Sequence, residues 1–132
     1  MAYLIDTNIA IHARDGHAAV LGKLASHRGA VLISALSLAE MHRGLYKKPI
    51  YALTRKSRLD VLLRFIAVLP FDTGAAEAYG LLIAQCGWAR GRDVDWMIAA
   101  HAISTNSVLV TNNLSDFRDI PGLTIQDWTL AT

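Results

Sequence analysis

The chain alternates short apolar runs with longer amphipathic stretches, and this alternation restricts it to few folds. Strands are predicted at residues 3–5, 31–34, 68–71, 108–111 and 122–125. Helices are predicted between them at residues 8–14, 18–26, 51–67, 74–88 and 95–103, and a further helix is predicted to begin at Ser37. Strands that alternate with helices favour a parallel sheet covered on both faces. We therefore expect an α/β protein.

Length and composition predict a single domain, residues 1–132. The chain has 132 residues, 53% of them hydrophobic, which is enough to bury roughly two-thirds of the unfolded surface. Its apolar stretches are far shorter than the ~18 residues that cross a bilayer, and no basic segment precedes the first one, so neither a membrane span nor a signal peptide is expected. The lone Cys86 has no disulfide partner and is expected to be buried. These features predict a reduced, cytoplasmic protein.

Acidic residues follow several of the predicted strands. Asp6 ends the first strand, and Thr7 and Asn8 come directly after it. In open α/β sheets, active sites form at the carboxyl ends of the strands, so Asp6 is expected to lie in one. The other acids at comparable places are Glu40, Asp95 and Asp116.

Each of these acids has a local context. Ser37 and Glu40 have the spacing of a capping box, which predicts that Ser37 caps a helix and that Glu40 is its third residue. Asp95 is expected to open a helix, and Asp116 follows the strand that ends at Thr111. Four separate elements therefore bring carboxylates towards one edge of the sheet.

Four clustered carboxylates require a compensating cation, since they repel one another and raise their own pKa values. Oxygen ligands without cysteine or paired histidine favour Mg²⁺ or Mn²⁺ over Zn²⁺. When these four acids are set aside, 13 basic residues face 7 acidic ones, a balance of +6. A basic surface around an acidic pocket is suited to a polyanion. The remaining acids on helices or near the tail are interpreted as solvated surface: Asp60, Glu77, Asp119 and Asp127.

Four motifs occur in order along the chain: Leu4-Ile5-Asp6-Thr7-Asn8, Ser34-Ala35-Leu36-Ser37-Leu38-Ala39-Glu40, Asp95-Trp96-Met97-Ile98-Ala99-Ala100-His101-Ala102 and Thr111-Asn112-Asn113-Leu114-Ser115-Asp116-Phe117. Together they resemble the signatures of PIN-domain nucleases, specifically the VapC toxins of toxin–antitoxin pairs. The closing Pro121-Gly122-Leu123 and Asp127-Trp128 resemble that subgroup too. The resemblance extends from the first strand to the tail.

The resemblance implies a Rossmann-like three-layer α/β/α sandwich with a mostly parallel central sheet. It also implies Mg²⁺-dependent endoribonuclease activity, with Mn²⁺ as a substitute, a homodimer, and a VapB-type antitoxin that blocks the active site. Carried over residue by residue, the acidic quartet is Asp6, Glu40, Asp95 and Asp116, and the supporting polar groups are Thr7, Asn8, Thr111 and Asn112.

The chain departs from the family pattern before the third acid. The family has a longer connection there, often with an Ile-Gly-Pro segment, whereas Gly91-Arg92 is followed here only by Asp93-Val94 before Asp95. The residues that follow favour Asp95 as the ligand. Whether the shortened loop brings Asp93 to the metal stays open.

Hydrolysis of an RNA phosphodiester needs an activated water and stabilisation of negative charge, and one or two divalent ions supply both. Our hypothesis is that Asp6 and Asp95 bind metal directly, while Glu40 and Asp116 do so directly or through water. Thr7 and Asn112 would orient ligands or phosphate. The alternative is a catalytically weak protein of the same fold that binds RNA or a protein partner.

Histidine and tryptophan offer no comparable constellation. The five histidines are scattered, and His101, in an apolar helix, is expected to be a hydrogen-bonded core residue. Trp88, Trp96 and Trp128 are expected to pack in the core or at a dimer interface rather than to stack on bases.

Overall fold

Five parallel strands form one sheet in the computed structural model, which describes residues 1–88 and 90–130. The strands are β1 (Ala2–Ile5), β2 (Val31–Ser34), β3 (Ala67–Leu69), β4 (Ser107–Val110) and β5 (Ile125–Gln126). Their order across the sheet is β3-β2-β1-β4-β5, and each neighbouring pair is parallel. The predicted parallel sheet is confirmed, with five parallel strands.

Helices cover both faces of the sheet. They are α1 (Thr7–Arg14), α2 (Ala18–Ser26), α3 (Ala35–Lys47), α4 (Pro49–Leu62), α5 (Thr73–Cys86), α6 (Asp93–Ser104) and the short α7 (Leu114–Phe117). Buried residues of α1 to α4 form one hydrophobic core, and those of α5 to α7 form a second. The predicted three-layer α/β/α sandwich is thus confirmed. Among the described residues, no helix combines the length and the apolar character needed to cross a bilayer.

Alternation along the strands separates the two cores. Leu4 and Ile5 are both fully buried, but Leu4 belongs to the core beneath α5 and α6, and Ile5 to the core beneath α1 to α4. The same division holds for Leu109 and Val110 in β4. Successive strand residues point to opposite faces, so both faces of a covered parallel sheet must be apolar.

The carboxyl ends of β1 and β4 meet at the point where the chain changes direction across the sheet. From β1 the chain proceeds through β2 to β3, and it then returns to place β4 on the other side of β1. The connections after β1 and β4 therefore diverge and leave a crevice between them, the usual ligand site of open α/β sheets. Asp6 follows β1, and its N–H donates to the Val110 carbonyl at 2.9 Å. The fold thus brings the first acid to this crevice.

Helix α3 begins earlier than the capping box predicted. Its cap is Ser34, the last residue of β2, whose hydroxyl accepts a hydrogen bond from the Leu36 N–H at 3.2 Å. Ser37 lies inside the helix and is buried, and its hydroxyl has no partner among the described residues. Glu40 is consequently the sixth residue of α3 and not its third. The prediction was wrong because Ser34, which ends β2, is itself a good cap and starts the helix three residues before Ser37.

Other differences concern the ends of elements. Helix α4 begins at Pro49, which suits the first helical position, and it ends at Leu62 where residues 51–67 were predicted. Helix α6 begins at Asp93, so Asp95 is its third residue. Cys86, which was expected to be buried, is exposed at the end of α5. The final strand, predicted at 122–125, is formed by Ile125–Gln126.

Candidate active site

Three of the four predicted acids line one polar cleft at the carboxyl edge of the sheet. The cleft has a volume of about 260 Å³, and Asp6, Glu40 and Asp95 lie in its wall. The remaining lining residues come from α1 and α3: Thr7, Asn8, Ile11, Arg43, Gly44 and Lys47. The acids thus reach the cleft from three elements, the end of β1, the second turn of α3 and the first turn of α6.

Asp6 is the most buried of these acids, with 8% of its surface exposed. It caps α1, since its Oδ1 accepts a hydrogen bond from the Ile9 N–H at 2.9 Å. Burial raises the pKa of Asp6, the hydrogen bonds from the Thr111 side chain and the Ile9 N–H oppose the rise, and the charges of Asp95 and Glu40 add to it. The net result is a raised pKa, because desolvation and like charges together outweigh the bonds to the ionised form.

Glu40 is held in the cleft by the first residue of α1. The Thr7 hydroxyl donates to Glu40 Oε1 at 2.6 Å, a contact between residues that are 33 positions apart in sequence. Arg43, one turn further along α3, places its Nη2 3.9 Å from Glu40 Oε2. The predicted supporting role of Thr7 therefore has a definite contact, which fixes the Glu40 carboxylate.

Asp95 is exposed, in contrast to Asp6, and faces two other carboxylates. Partial burial raises the pKa of Asp95, the charges of Glu40 and Asp116 raise it further, and the Arg92 guanidinium opposes them. The charge of Asp95 in turn raises the pKa of Asp6. Asp95 therefore interacts electrostatically with all three other acids. This mutual repulsion is what the sequence predicted for a carboxylate cluster.

Asp116 lies beside the cleft and is paired with other side chains. Its Oδ1 is 3.2 Å from Arg92 Nη2, and its Oδ2 accepts a hydrogen bond from the Asn113 side chain. Asn113 is anchored in turn, because its N–H donates to Thr111 Oγ1 at 3.1 Å. Asp116 thus contributes charge to Asp95 while its own oxygens contact Arg92 and Asn113.

The donor set fits a hard divalent cation, although the ligands are not preassembled. Carboxylate and hydroxyl oxygens are the ligands that Mg²⁺ and Mn²⁺ prefer, and a cation would neutralise the like charges that add to burial in raising the pKa values of Asp6 and Asp95. As the side chains stand in residues 1–88 and 90–130, no three of Asp, Glu, His and Cys converge closely enough to hold a metal ion. Mg²⁺ usually keeps several waters and is bound through one or two carboxylates, so water would complete its coordination here.

Some residues near the cleft were missed by the sequence reasoning or were assigned differently. Arg92 and Asn113 were not predicted, yet both contact Asp116. Asn113 was detectable, since it stands three residues before Asp116 at the start of α7. Asn112, the predicted supporting amide, is exposed, and the contact to the acid comes from its neighbour. Asp93 does not line the cleft, and its Oδ1 accepts from Trp88 Nε1 at 2.6 Å.

The core histidine was predicted correctly. His101 is buried, and its Nδ1 lies 2.9 Å from Ser34 Oγ. The Ser34 hydroxyl also accepts from the Leu36 N–H, and because a hydroxyl can both donate and accept, it pairs with His101 Nδ1 in either imidazole tautomer. Burial lowers the pKa of His101, and Asp72 opposes the shift.

The tryptophans divide between core and surface. Trp96 and Trp128 are buried, as expected, whereas Trp88 is 62% exposed. Trp96 belongs to the core beneath α5 and α6, although it directly follows Asp95. It is therefore a packing residue.

A second, larger cavity of about 570 Å³ lies away from the acids. Its floor is apolar and comes from α1, α2 and the end of α4, with Leu21, Leu24, Val61 and Phe65 among the lining residues. Arg28 and Arg58 also line it, as does Arg14, whose charge is paired with Asp15 at 3.0 Å. An apolar floor with basic groups is suited to an amphipathic segment that carries acidic residues.

Comparison with known proteins matches almost the entire chain. The family model of the PIN domain matches residues 3–123. Ribonuclease VapC2 from Rickettsia felis is 33% identical over 97% of this chain and 98% of that protein. The tRNA(fMet)-specific endonuclease VapC from Shigella flexneri is 32% identical over 98% of this chain and 99% of that protein.

Solved structures give the same result for the fold. A chain of DNA-bound VapBC from Salmonella typhimurium has a TM-score of 0.87 at 30% identity, covering 97% of this chain and 98% of its own length. A chain of VapBC2 from Rickettsia felis bound to a promoter DNA fragment has a TM-score of 0.85 at 32% identity, with coverage of 97% and 99%. Both similarities therefore include the strands and helices that carry the four acids.

Proposed function

The chain belongs to the PIN domain family, and from this premise we propose that it is a metal-dependent endoribonuclease of the VapC type, a toxin that an antitoxin inhibits. The observation that carries the proposal is the convergence of Asp6, Glu40 and Asp95 on one polar cleft at the carboxyl edge of the sheet. Similar proteins named as ribonuclease and tRNA endonuclease support RNA as the substrate.

Mg²⁺, or Mn²⁺ in its place, would be held by Asp6 and Asp95 directly and by Glu40 and Asp116 directly or through water. When bound, the cation supplies a water of lowered pKa and neutralises charge on the phosphate. The chain's own residues position these ligands: Thr7 orients Glu40, Thr111 orients Asp6, and Asn113 orients Asp116. Such contacts fix carboxylate geometry, which a loosely held surface acid lacks.

A test compares Asp6→Asn with Asp72→Asn. Both aspartates cap a helix in the same way, since Asp72 Oδ1 accepts from the Ala75 N–H at 3.0 Å. Asparagine caps as well as aspartate, so both variants should fold. We expect Asp6→Asn to lose cleavage of a mixed RNA pool and to bind Mn²⁺ at least tenfold more weakly by calorimetry, while Asp72→Asn keeps both. Full activity in Asp6→Asn would contradict the assignment.

The alternative is an RNA- or protein-binding module with little catalysis. Clustered carboxylates disfavour it, because acids repel a polyanion unless a cation lies between them. Binding of RNA without cleavage at any Mg²⁺ or Mn²⁺ concentration would favour this alternative.

The antitoxin is the proposed protein partner. The structural neighbours are VapBC complexes, and the apolar cavity between α1, α2 and α4 offers a groove for an amphipathic helix. A basic side chain of the antitoxin would then replace the cation among the acids. Copurification with the chain's natural partner tests this, and Leu24→Asp should abolish it.

Dimerisation stays a prediction, which light scattering of the purified chain would check.

A further inference from the structure

We propose that α3 carries the RNA strand past the acids, with Arg43 and Lys47 binding backbone phosphates and Gly44 leaving room for the strand between them. The inference rests on the proposed function, since it concerns the substrate of the same cleft. It assigns binding roles to three residues outside the acidic quartet.

The first support is the arrangement of these residues on α3. Glu40, Arg43, Gly44 and Lys47 have the spacing i, i+3, i+4 and i+7, and all four line the cleft. The opposite side of α3 carries Met41 and Leu45, which are buried. At 1.5 Å per residue, Lys47 lies about 10 Å beyond Glu40 along the helix axis. Arg43 and Lys47 would therefore contact the nucleotides that neighbour the one bound at the acidic residues.

The second support is the state of the two basic side chains. The Arg43 side chain is 69% exposed, and its 3.9 Å separation from Glu40 exceeds hydrogen-bond distance. The exposed guanidinium is therefore accessible to a strand that enters the cleft, and a guanidinium binds phosphate in bidentate fashion. Lys47 is exposed in the last turn of α3. A lysine there also complements the helix dipole, so binding and dipole effects must be separated by experiment.

The third support is Gly44, a glycine in the interior of a helix. A Cβ built on it would meet no atom within 4 Å, so an alanine would fit at this position and packing within the protein does not require glycine. Glycine at such a position costs about 0.5–1 kcal/mol relative to alanine. Close approach of a ligand backbone is a common reason to keep glycine, and Gly44 faces the cleft between Arg43 and Lys47.

The chain contains a matched control for each change. Gly22 lies inside α2, where a built Cβ also meets nothing within 4 Å, and it does not line the cleft. Arg64 is exposed and precedes β3, so it lies at the amino edge of the parallel sheet, opposite the cleft. Arg43→Lys keeps the charge of Arg43 and serves as the conservative variant.

Binding of a labelled single-stranded RNA is measured by anisotropy between 50 and 200 mM KCl at a constant excess of Mg²⁺, in the cleavage-deficient Asp6→Asn background. Arg43→Gln and Lys47→Gln should each reduce the slope of log K against log salt by about 0.7. Arg43→Lys and Arg64→Gln should leave the slope unchanged. Slopes for Arg43→Gln and Lys47→Gln that match that of Arg64→Gln would overturn the proposal, as would absence of RNA binding.

The glycine is tested by separating stability from binding. Gly44→Ala and Gly22→Ala should both raise Tm, because alanine favours the helix. Only Gly44→Ala should weaken RNA binding, by at least fivefold, and raise KM for cleavage in the otherwise unmodified chain. Equal binding by the two variants would overturn the role of Gly44. If Arg43→Gln and Lys47→Gln reduce the salt slope but the chain without Asp6→Asn does not cleave RNA, the proposed nuclease function is contradicted and the path of the RNA strand is not. If that chain cleaves RNA but the two variants leave the salt slope unchanged, the path of the strand is contradicted and the nuclease function is not.

Discussion

The Thr7 hydroxyl donates a 2.6 Å hydrogen bond to Glu40 Oε1 and so connects the first turn of α1 to the middle of α3. Thr7 directly follows Asp6, the cap of α1. A rotation of the Glu40 carboxylate is therefore restricted by the same turn that positions Asp6. The two acids form one unit, although 33 residues separate Thr7 from Glu40.

This contact gives a first prediction. Thr7→Val removes the donor and should reduce kcat by about 10- to 100-fold, the usual effect of losing a residue that orients a ligand. Thr7→Ser keeps the hydroxyl and should keep most activity. Thr73 follows the capping Asp72 as Thr7 follows Asp6, so Thr73→Val is the matched control and should be silent. Equal activity of both valine variants would remove Thr7 from the site.

Burial of Asp95 and its repulsion by Glu40 and Asp116 predict that Asp95→Asn stabilises the metal-free protein. The folded pKa of Asp95 is raised, so the folded state binds protons more readily than the unfolded one. Stability is therefore lost as pH rises from 3.8 through the raised pKa, and a neutral amide avoids this loss. After allowance for solvent screening, Tm at pH 7 should rise by about 2 °C. Calorimetry in EDTA measures this, with exposed Asp119→Asn as the control, and a lower Tm for Asp95→Asn would contradict it.

His101 predicts a pH effect of the opposite sign. Its folded pKa is lowered by burial, so the unfolded chain takes up the proton first as pH falls below 6.5. The contribution of neutral His101 is present above 6.5 and is lost as pH falls through the lowered folded pKa. His101→Leu also removes the side chain that pairs with the buried Ser34 hydroxyl, which costs about 1–3 kcal/mol. Urea unfolding of His101→Leu at several pH values should show a lower free energy of unfolding, and that free energy should change less with pH below 6.5 than in the unaltered chain. An unchanged dependence on pH would refute the lowered pKa of His101.

Arg92 predicts a gain in metal affinity on its removal. Its guanidinium pairs with Asp116 at 3.2 Å and opposes the pKa rise of Asp95. It therefore already neutralises part of the negative charge that would attract a cation. A partly exposed pair contributes about 0.2–1 kcal/mol, which corresponds to Mn²⁺ binding about 1.5- to 5-fold tighter in Arg92→Ala. Calorimetric titration with Mn²⁺ measures this, and exposed Arg64→Ala should bind as the unaltered chain does. Weaker Mn²⁺ binding by Arg92→Ala would show that Arg92 supports the site instead.

The fold and the positions of the acids were largely predictable from the sequence. Buried parallel strands are short and apolar, so a polar residue after one of them marks its carboxyl end. This reasoning located Asp6 after β1 and Thr111 after β4, and the strand order brings both to one crevice. Local sequence therefore indicated the position of Asp6, whereas Glu40 lies further into its helix than predicted, and the strand order explains why the acids are close together.

The contacts between side chains were less predictable, because they depend on tertiary geometry. Ser34 and Ser37 are both good capping residues, and although the strand was predicted to end at Ser34, the local sequence did not indicate that α3 follows it directly. The pairing of Arg92 with Asp116 joins the start of α6 to α7, and no spacing in the sequence indicates it. Gly44 resembles any helical glycine until its place in the cleft wall is known.

The most direct measurement of the central claim is cleavage of labelled RNA by the purified chain in Mg²⁺, in EDTA, and in EDTA followed by excess Mg²⁺ or Mn²⁺. If Asp6, Glu40 and Asp95 act through a bound cation, fragments should form in Mg²⁺, disappear in EDTA and return when the cation is restored. The same rate of cleavage in EDTA, with Asp6→Asn as active as the unaltered chain, would contradict the account.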